Sequence, residues 1–210
     1  MSRLVEALIE VAPGVVKPQL VDLDNAGGIQ PQTTAGIGSV PAASATAGVT
    51  IKEYGDGLLH KTVFTLTAVS VDMTDATTAG CHGKIQLYDF PDGLVDVLGA
   101  TTNVTLLAGA GGIADTAAVV AGLGTGAVAT DNGTLVGSGE ADIVASTAAT
   151  LTAGAGAFKG KTTVVVVLDG TGTAKDMYLN MAMVDAESSA SDTLTLNGTV
   201  TLVWVSAGDF

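Results

Sequence analysis

The chain is short of the residues from which most active sites are built. Its 210 residues include one cysteine, two histidines, one tryptophan and eight basic side chains. With Cys81 alone, no disulfide can form within the chain. His60, His82 and Cys81 are too few for a structural zinc site without distant carboxylates. Aromatic residues are 4% of the total, so the core has to be assembled from Val, Leu, Ile and Ala, which bury less area per residue. Stability is then expected to lean on backbone ladders and on association with other chains. Lys and Arg are absent between Lys84 and Lys159, and the net charge is −13. Such a surface repels phosphate backbones and anionic lipid, which disfavours nucleic-acid and membrane-surface partners. No apolar run approaches the ~20 residues of a membrane helix. The opening MSRLVEALIEVAPG carries Glu6 and Glu10 inside its apolar stretch, unlike a signal peptide, so synthesis and folding in a cytoplasm are expected.

What fills the chain instead is Ala, Gly, Thr and Val, which make up more than half of it. Residues 4–10 have Leu4, Leu8 and Val5, Ile9 at i,i+4 spacing and predict two turns of helix, stopped by Pro13 and Gly14. From Ala26 to Gly48 turn and coil residues dominate with no sustained period, which predicts an extended arm over 1–48 that is ordered only on a neighbour. Strand signals then run to the C-terminus. Val49 and Ile51 alternate with polar residues, and TVFTLTAVSVDM places Phe64, Leu66 and Ala68 on one face and Val69 and Val71 on the other. Ile85, Leu87 and Asp89 alternate again, Pro91-Asp92-Gly93 predicts a turn, and Leu94 to Leu98 and Val104 to Leu107 read as two short strands. Residues 109–160 are the least regular and could form a loop-rich flap; Ala117 to Leu123 reads as a strand or a brief helix. Val164 to Leu168 reads as a buried strand, and Met177, Leu179, Met181 and Met183 alternate along the next. Leu194, Leu196, Val200, Leu202 and Trp204 alternate around Asn197-Gly198. Many short strands with no long helix predict an all-β sandwich over 49–210.

The chemical motifs are weak. Gly122-Leu123-Gly124-Thr125-Gly126 has glycines spaced for a phosphate loop, but it is GxGxG, and Asp131-Asn132-Gly133 follows where a helix N-terminus would be needed. Glycines serving turns and tight packing explain it better. Asp22, Asp24 and Asn25, and Asp169 with Gly170 and Thr171, match only fragments of a calcium loop and read as turns. His60 and His82 read as exposed loop histidines. No Gly-x-Ser-x-Gly elbow is present, and Asp89 with Asp92 reads as charge flanking a turn sooner than a glycosidase pair. Trp204 lies in a core-like alternation, leaving Tyr54, Tyr88 and Tyr178 as the possible sugar platforms, which counts against a lectin.

Three stretches resemble a known family. KIQLYDFPDGLVDVLG (84–99) is similar to the "strand, acidic-Phe-Pro-acidic-Gly, strand, Leu-Gly" element of a family of tailed-bacteriophage virion proteins. GLGTGAVATDNGTLVGSGEADIVAST (122–147) resembles that family's Gly-Thr-Ala-rich segment, and 169–204 its C-terminal Asp-Gly-Thr, Tyr-Leu-Asn, Asp-Ala and Asn-Gly-Thr hairpin closing on Trp. The resemblance covers about the last two-thirds of the chain and its motifs are structural. It implies a capsid decoration, or cement, protein: a jelly-roll type β-sandwich that forms a homotrimer on the outer surface of the shell, with the major capsid protein as partner. No catalytic residue, cofactor or metal is implied, so the chain is expected not to be an enzyme. Within the arm, Leu4, Leu8, Ile9 and Val15 are the expected apolar anchors on the capsid, with Arg3 and Lys17 as partners for its carboxylates. A head-fibre base or tail-associated virion protein would use the same architecture. A glycan-binding adhesin module is the reading from a different class, and a glycan hydrolase is the weakest.

Overall fold

The computed structural model describes residues 4–12, 15–22, 31–32, 47–56, 59–77, 80–109, 112–130, 132–162, 164–184 and 192–208. Among these residues the protein is all-β, with no helix. Thirteen strands follow in order: β1 (Leu4–Ala12), β2 (Val15–Asp22), β3 (Pro31–Gln32), β4 (Val49–Asp56), β5 (Leu59–Thr77), β6 (Gly80–Asp89), β7 (Gly93–Ala108), β8 (Val120–Gly124), β9 (Val144–Ala148), β10 (Ala155–Lys161), β11 (Val166–Gly170), β12 (Asp176–Met183) and β13 (Asp192–Gly208). β1 and β2 pair with each other in a separate two-stranded sheet. The other eleven form one antiparallel sheet whose main path is β10-β7-β13-β5-β6-β12-β8-β9, with β11 also on β7 and β3 on β4, itself on β5.

The two ends of that path meet. Thr162 Oγ1 donates to the Ile143 carbonyl at 2.8 Å, and a Cβ on Gly160 would lie 2.6 Å from Val144 Cγ1. No backbone ladder joins β9 to β10, so the sheet is nearly, not fully, closed into a barrel. Each strand therefore sends one face inward, and the buried side chains of both halves form one core.

That core places the few aromatic rings where they matter most. Phe64, Tyr88, Phe90 and Trp204 cluster edge to face, with centroids 5.2 to 6.1 Å apart. Trp204 is fully buried, as its alternation predicts, and its Nε1 donates to Thr62 Oγ1 at 3.0 Å. Val, Leu, Ile, Met and Ala fill the remainder.

Bulges explain where simple alternation fails. In β5, Leu66 pairs with Gly198 and Val69 with Leu196, so Thr67 and Ala68 are accommodated in a bulge. The inward set passes from Phe64 and Leu66 to Val69, Val71 and Met73, while Ala68 is exposed, correcting its expected place beside Phe64. A second bulge, at Leu87–Tyr88, brings both residues inside. A third, at Leu98–Gly99, lets Leu94–Leu98 and Val104–Leu107 run on as the single strand β7. Asn197-Gly198 lies within the continuous strand β13 and not in a hairpin turn. The Pro91-Asp92-Gly93 turn does separate β6 from β7.

Residues 4–10 belong to a strand and not to the expected helix. Val5, Ile9 and Val11 are β-branched, and Val15, Val16 and Val21 supply a matching partner, so a hairpin ladder outcompetes a helix too short to overcome its nucleation cost. Within 26–48, Pro31 and Gln32 pair with Tyr54 and Glu53; the remainder, apart from 47–48, lies outside the described residues. The irregular middle contributes β8, β9 and β10 to the main sheet.

Candidate interaction surface

The residues with chemical potential are mostly turned to structural use. His60, expected in a loop, sits in β5 and is 1% exposed. It stacks on Trp204 at 4.3 Å, and its Nδ1 lies 3.2 Å from Glu53 Oε1. The Tyr88 hydroxyl donates to Glu53 Oε2 at 2.8 Å. Burial raises the Glu53 carboxyl above its ordinary range, opposed by the Tyr88 hydrogen bond and by His60. Burial, then the Glu53 carboxylate, pushes the Tyr88 phenol upward. A Glu-His pair within hydrogen-bond reach is the beginning of acid-base machinery. Here the ring is sealed beneath Trp204, where a substrate has no approach, so the cluster fixes β4 to β5 and β6.

His82 is also in a strand, half-buried in β6 beside the buried Cys81. It lines a notch of about 310 Å³ with Ser70, Asp72, Thr74 and Lys84, where β5 and β6 diverge. Among the described residues no three His, Cys, Asp or Glu side chains come together as a metal site.

The glycines of 122–126 serve packing. A Cβ on Gly124 would stand 2.0 Å from the Gly139 carbonyl oxygen, and one on Gly122 2.8 Å from the Ala141 Cβ. The fully buried Asn180 of β12 holds the surrounding loop: its Nδ2 donates to the Gly126 and Glu140 carbonyls, both at 2.8 Å, and its Oδ1 accepts from Val128 N–H at 3.0 Å. In the sequence Asn180 figures only as the last residue of Tyr178-Leu179-Asn180, because an Asn amid Met and Leu carries no periodic signal of its own. Asp169 accepts from Thr171 N–H and Oγ1, a turn as expected, and those bonds lower its pKa. Asp92 is exposed in the bend before Gly93, and Tyr88 is buried, which removes it from any sugar platform.

Two surfaces remain. The first is the β1–β2 hairpin, which carries five of the six expected capsid-contact residues. Leu4 pairs with Asp22, Leu8 with Pro18, Ile9 with Lys17, and Val15 with Ala12. Arg3, Asp24 and Asn25 lie outside the described residues.

The second surface lies at Val164–Leu168, where the β-branched run predicts a buried strand and the structure places an exposed one. Val164, Val165 and Val167 are 68%, 56% and 65% exposed, and only Leu168 of this run is buried. β11 pairs with β7 alone, so its opposite edge is open among the described residues. Four consecutive valines look the same on an edge strand as in a buried one, which is why composition misplaced them. Across the sheet, Val167 pairs with Asp96, Asp96 with Val205, and Val205 with Leu59. Leu59 and Leu98 are about half exposed on the same outer face. Beside them, the bare Gly99 leaves a hollow of about 210 Å³ bounded by Thr101, Lys161, Thr162 and Val203. No protein-family model, no curated protein and no solved structure matches the chain.

Proposed function

We propose that this chain is a viral structural protein, a decoration or cement protein that binds the outer surface of a tailed-phage capsid as a homotrimer and stabilises the shell. On this reading the main sheet is a sandwich of jelly-roll type, and residues 1–48 are the extended arm that reaches over neighbouring major capsid proteins. The observation that carries the reading is the β1–β2 hairpin: it pairs with itself and not with the main sheet, and it carries Leu4, Leu8, Ile9, Val15 and Lys17. Support comes also from the virion-protein motifs in 84–99, 122–147 and 169–204, and from an acidic surface that disfavours nucleic acid and membrane. Each hairpin contact is weak alone. Three on one trimer raise the effective concentration of the others, and avidity then clamps several capsid subunits together.

The test is co-sedimentation of the full-length chain with expanded capsids of the phage that encodes it. Wild type is expected to pellet with the shells. Leu8→Asp with Ile9→Asp, which places two charges in β1, is expected to remain in the supernatant while keeping its β-sheet spectrum. Wild-type protein that fails to pellet contradicts the proposal.

A further inference from the structure

The outer face that holds the Gly99 hollow also gathers the lysines of the main sheet. Val63 of β5 pairs with Thr201 of β13, and the row extends on both flanks: Thr201 pairs with Thr101, Thr101 with Lys161 of β10, and Val63 with Lys52 of β4. Five strands spaced at about 4.8 Å set the two lysines roughly 19 Å apart. In the neighbouring rows Lys159 pairs with Asn103 and Lys61 with Tyr54. Thr62, Phe64 and Phe158 are buried on the inner face, so the four lysines point outward, and all four are exposed. Half of the eight basic residues thus share one face, which leaves four for the rest of a chain with 21 acidic residues. Lysine on a sheet face is ordinarily stabilised by a carboxylate directly opposite, yet these stand opposite Val63, Tyr54, Asn103 and Thr101. Edge protection accounts for lysine on β4 and β10 but not for Lys61, which sits on β5 between β4 and β13.

The opposite charge gathers at one end of the sheet. There the Pro91-Asp92-Gly93 turn lies against the turn between β11 and β12: Gly93 pairs with Gly170, and Phe90 N–H donates to the Lys175 carbonyl at 2.9 Å. These turns bring together Asp89, Asp92, Asp169 and Asp176, with Lys175 as their basic neighbour. Asp89 and Asp176 stand directly opposite each other in the β6–β12 ladder, a like-charge pairing that costs stability until a cation from outside screens it. Thr101 is eight residues along β7 from Gly93, about 25 Å at the ordinary strand rise, so the two patches are separate.

We propose that the lysine face of one copy docks on the carboxylate-bearing end of the next. The occupant is a second copy because the chain itself supplies the matching patch. Each patch repels its own kind, so the contact is heterologous, the kind that closes a ring. It deepens the homotrimer reading by naming the surfaces that meet, and rests on that reading for the number of copies alone. Complementary charge of this kind orients the partners and weakens as salt rises.

The experiment is sedimentation equilibrium of the full-length chain at low and high salt. Wild type is expected to associate at low salt and to dissociate as salt rises. Wild type that stays monomeric at low salt overturns the proposal, including when a polyglutamate resin retains it through these lysines, which assigns the face to another acidic partner. Lys52→Glu with Lys161→Glu is expected to weaken association on the order of tenfold, and so is Asp89→Lys with Asp92→Lys, each with wild-type circular dichroism. Mixing the two variants is expected to restore association, because the glutamate face of the first meets the lysine-bearing end of the second, and the second's lysine face meets the first's aspartates. Asp92→Lys alone, in an exposed bend, serves in the mixture if the double variant does not fold. A mixture that stays apart overturns the proposal, as does undiminished association of the lysine variant. Either result leaves the capsid reading standing, whereas wild type that associates through these groups and leaves capsids bare contradicts the capsid reading alone.

Discussion

Asn197 Oδ1 accepts a hydrogen bond from the Ala68 backbone N–H at 2.8 Å across the β5–β13 ladder. Ala68 has φ of 51°, in the left-handed region, and is the residue at which β5 changes the face it buries. The amide of Asn197 thus satisfies the N–H that the bulge takes out of the ladder. Ala68→Gly should stabilise the protein by about 0.5–1 kcal/mol by relieving the left-handed strain. Asn197→Ala should cost about 1 kcal/mol by orphaning that donor. Urea denaturation of the two variants measures both, and equal midpoints would contradict the assignment.

Asn180 is the corresponding fastener on the other half of the sheet. Asn180→Ala strands one buried N–H and two carbonyls at once and should destabilise by about 3 kcal/mol or more. Asn180→Asp retains the acceptor for Val128 and loses both donated bonds, so it too should be severely destabilised. Thermal unfolding of the variants checks this.

The glycines separate into two kinds. Gly124→Ala should be strongly destabilising, because its Cβ would collide with a backbone carbonyl that the sheet holds in place. Gly99→Ala meets nothing within 4 Å and should be neutral or stabilising by up to about 0.5–1 kcal/mol. Chemical denaturation of the pair gives the contrast, and a tolerated Gly124→Ala would remove the packing explanation for the Gly-Leu-Gly-Thr-Gly stretch.

The pH dependence of stability should carry two opposing contributions. Burial holds Glu53 above its ordinary value of 4.5, so between that value and the raised one the folded state binds its proton more tightly than the unfolded state. Stability from this group is present at low pH and is lost as pH rises through the raised value. Asp192 accepts from Gly112 and Thr193 N–H groups, which lower it below 3.8, so its contribution is present above 3.8 and is lost as pH falls through the depressed value. Glu53→Gln should flatten the first slope and leave the second. Unfolding free energy measured from pH 3 to 8 resolves them; an unchanged slope in Glu53→Gln would contradict the role given to burial.

Much of the architecture is legible in the sequence because burial imposes period two. Met177, Leu179, Met181 and Met183, and the run from Leu194 to Trp204, are buried as their alternation indicates. The failures share a cause: the competing information is not local. Whether Val164–Val167 is covered depends on which strand lies beside β11, and whether Ala68 points in or out depends on a bulge latched by a residue 129 positions away. His60 follows closely on Gly55-Asp56-Gly57, a loop-like stretch, yet its partner Trp204 is supplied by the far end of the chain. At Leu4, Leu8 and Ile9 helical spacing misleads, because the strand that pairs with β1 follows only after Pro13-Gly14.

Cryo-electron microscopy of expanded capsids incubated with the full-length chain tests the central claim most directly. Added density on the outer surface at local three-fold positions, three copies to a site, is the predicted result. Shells that remain bare at saturating protein contradict it.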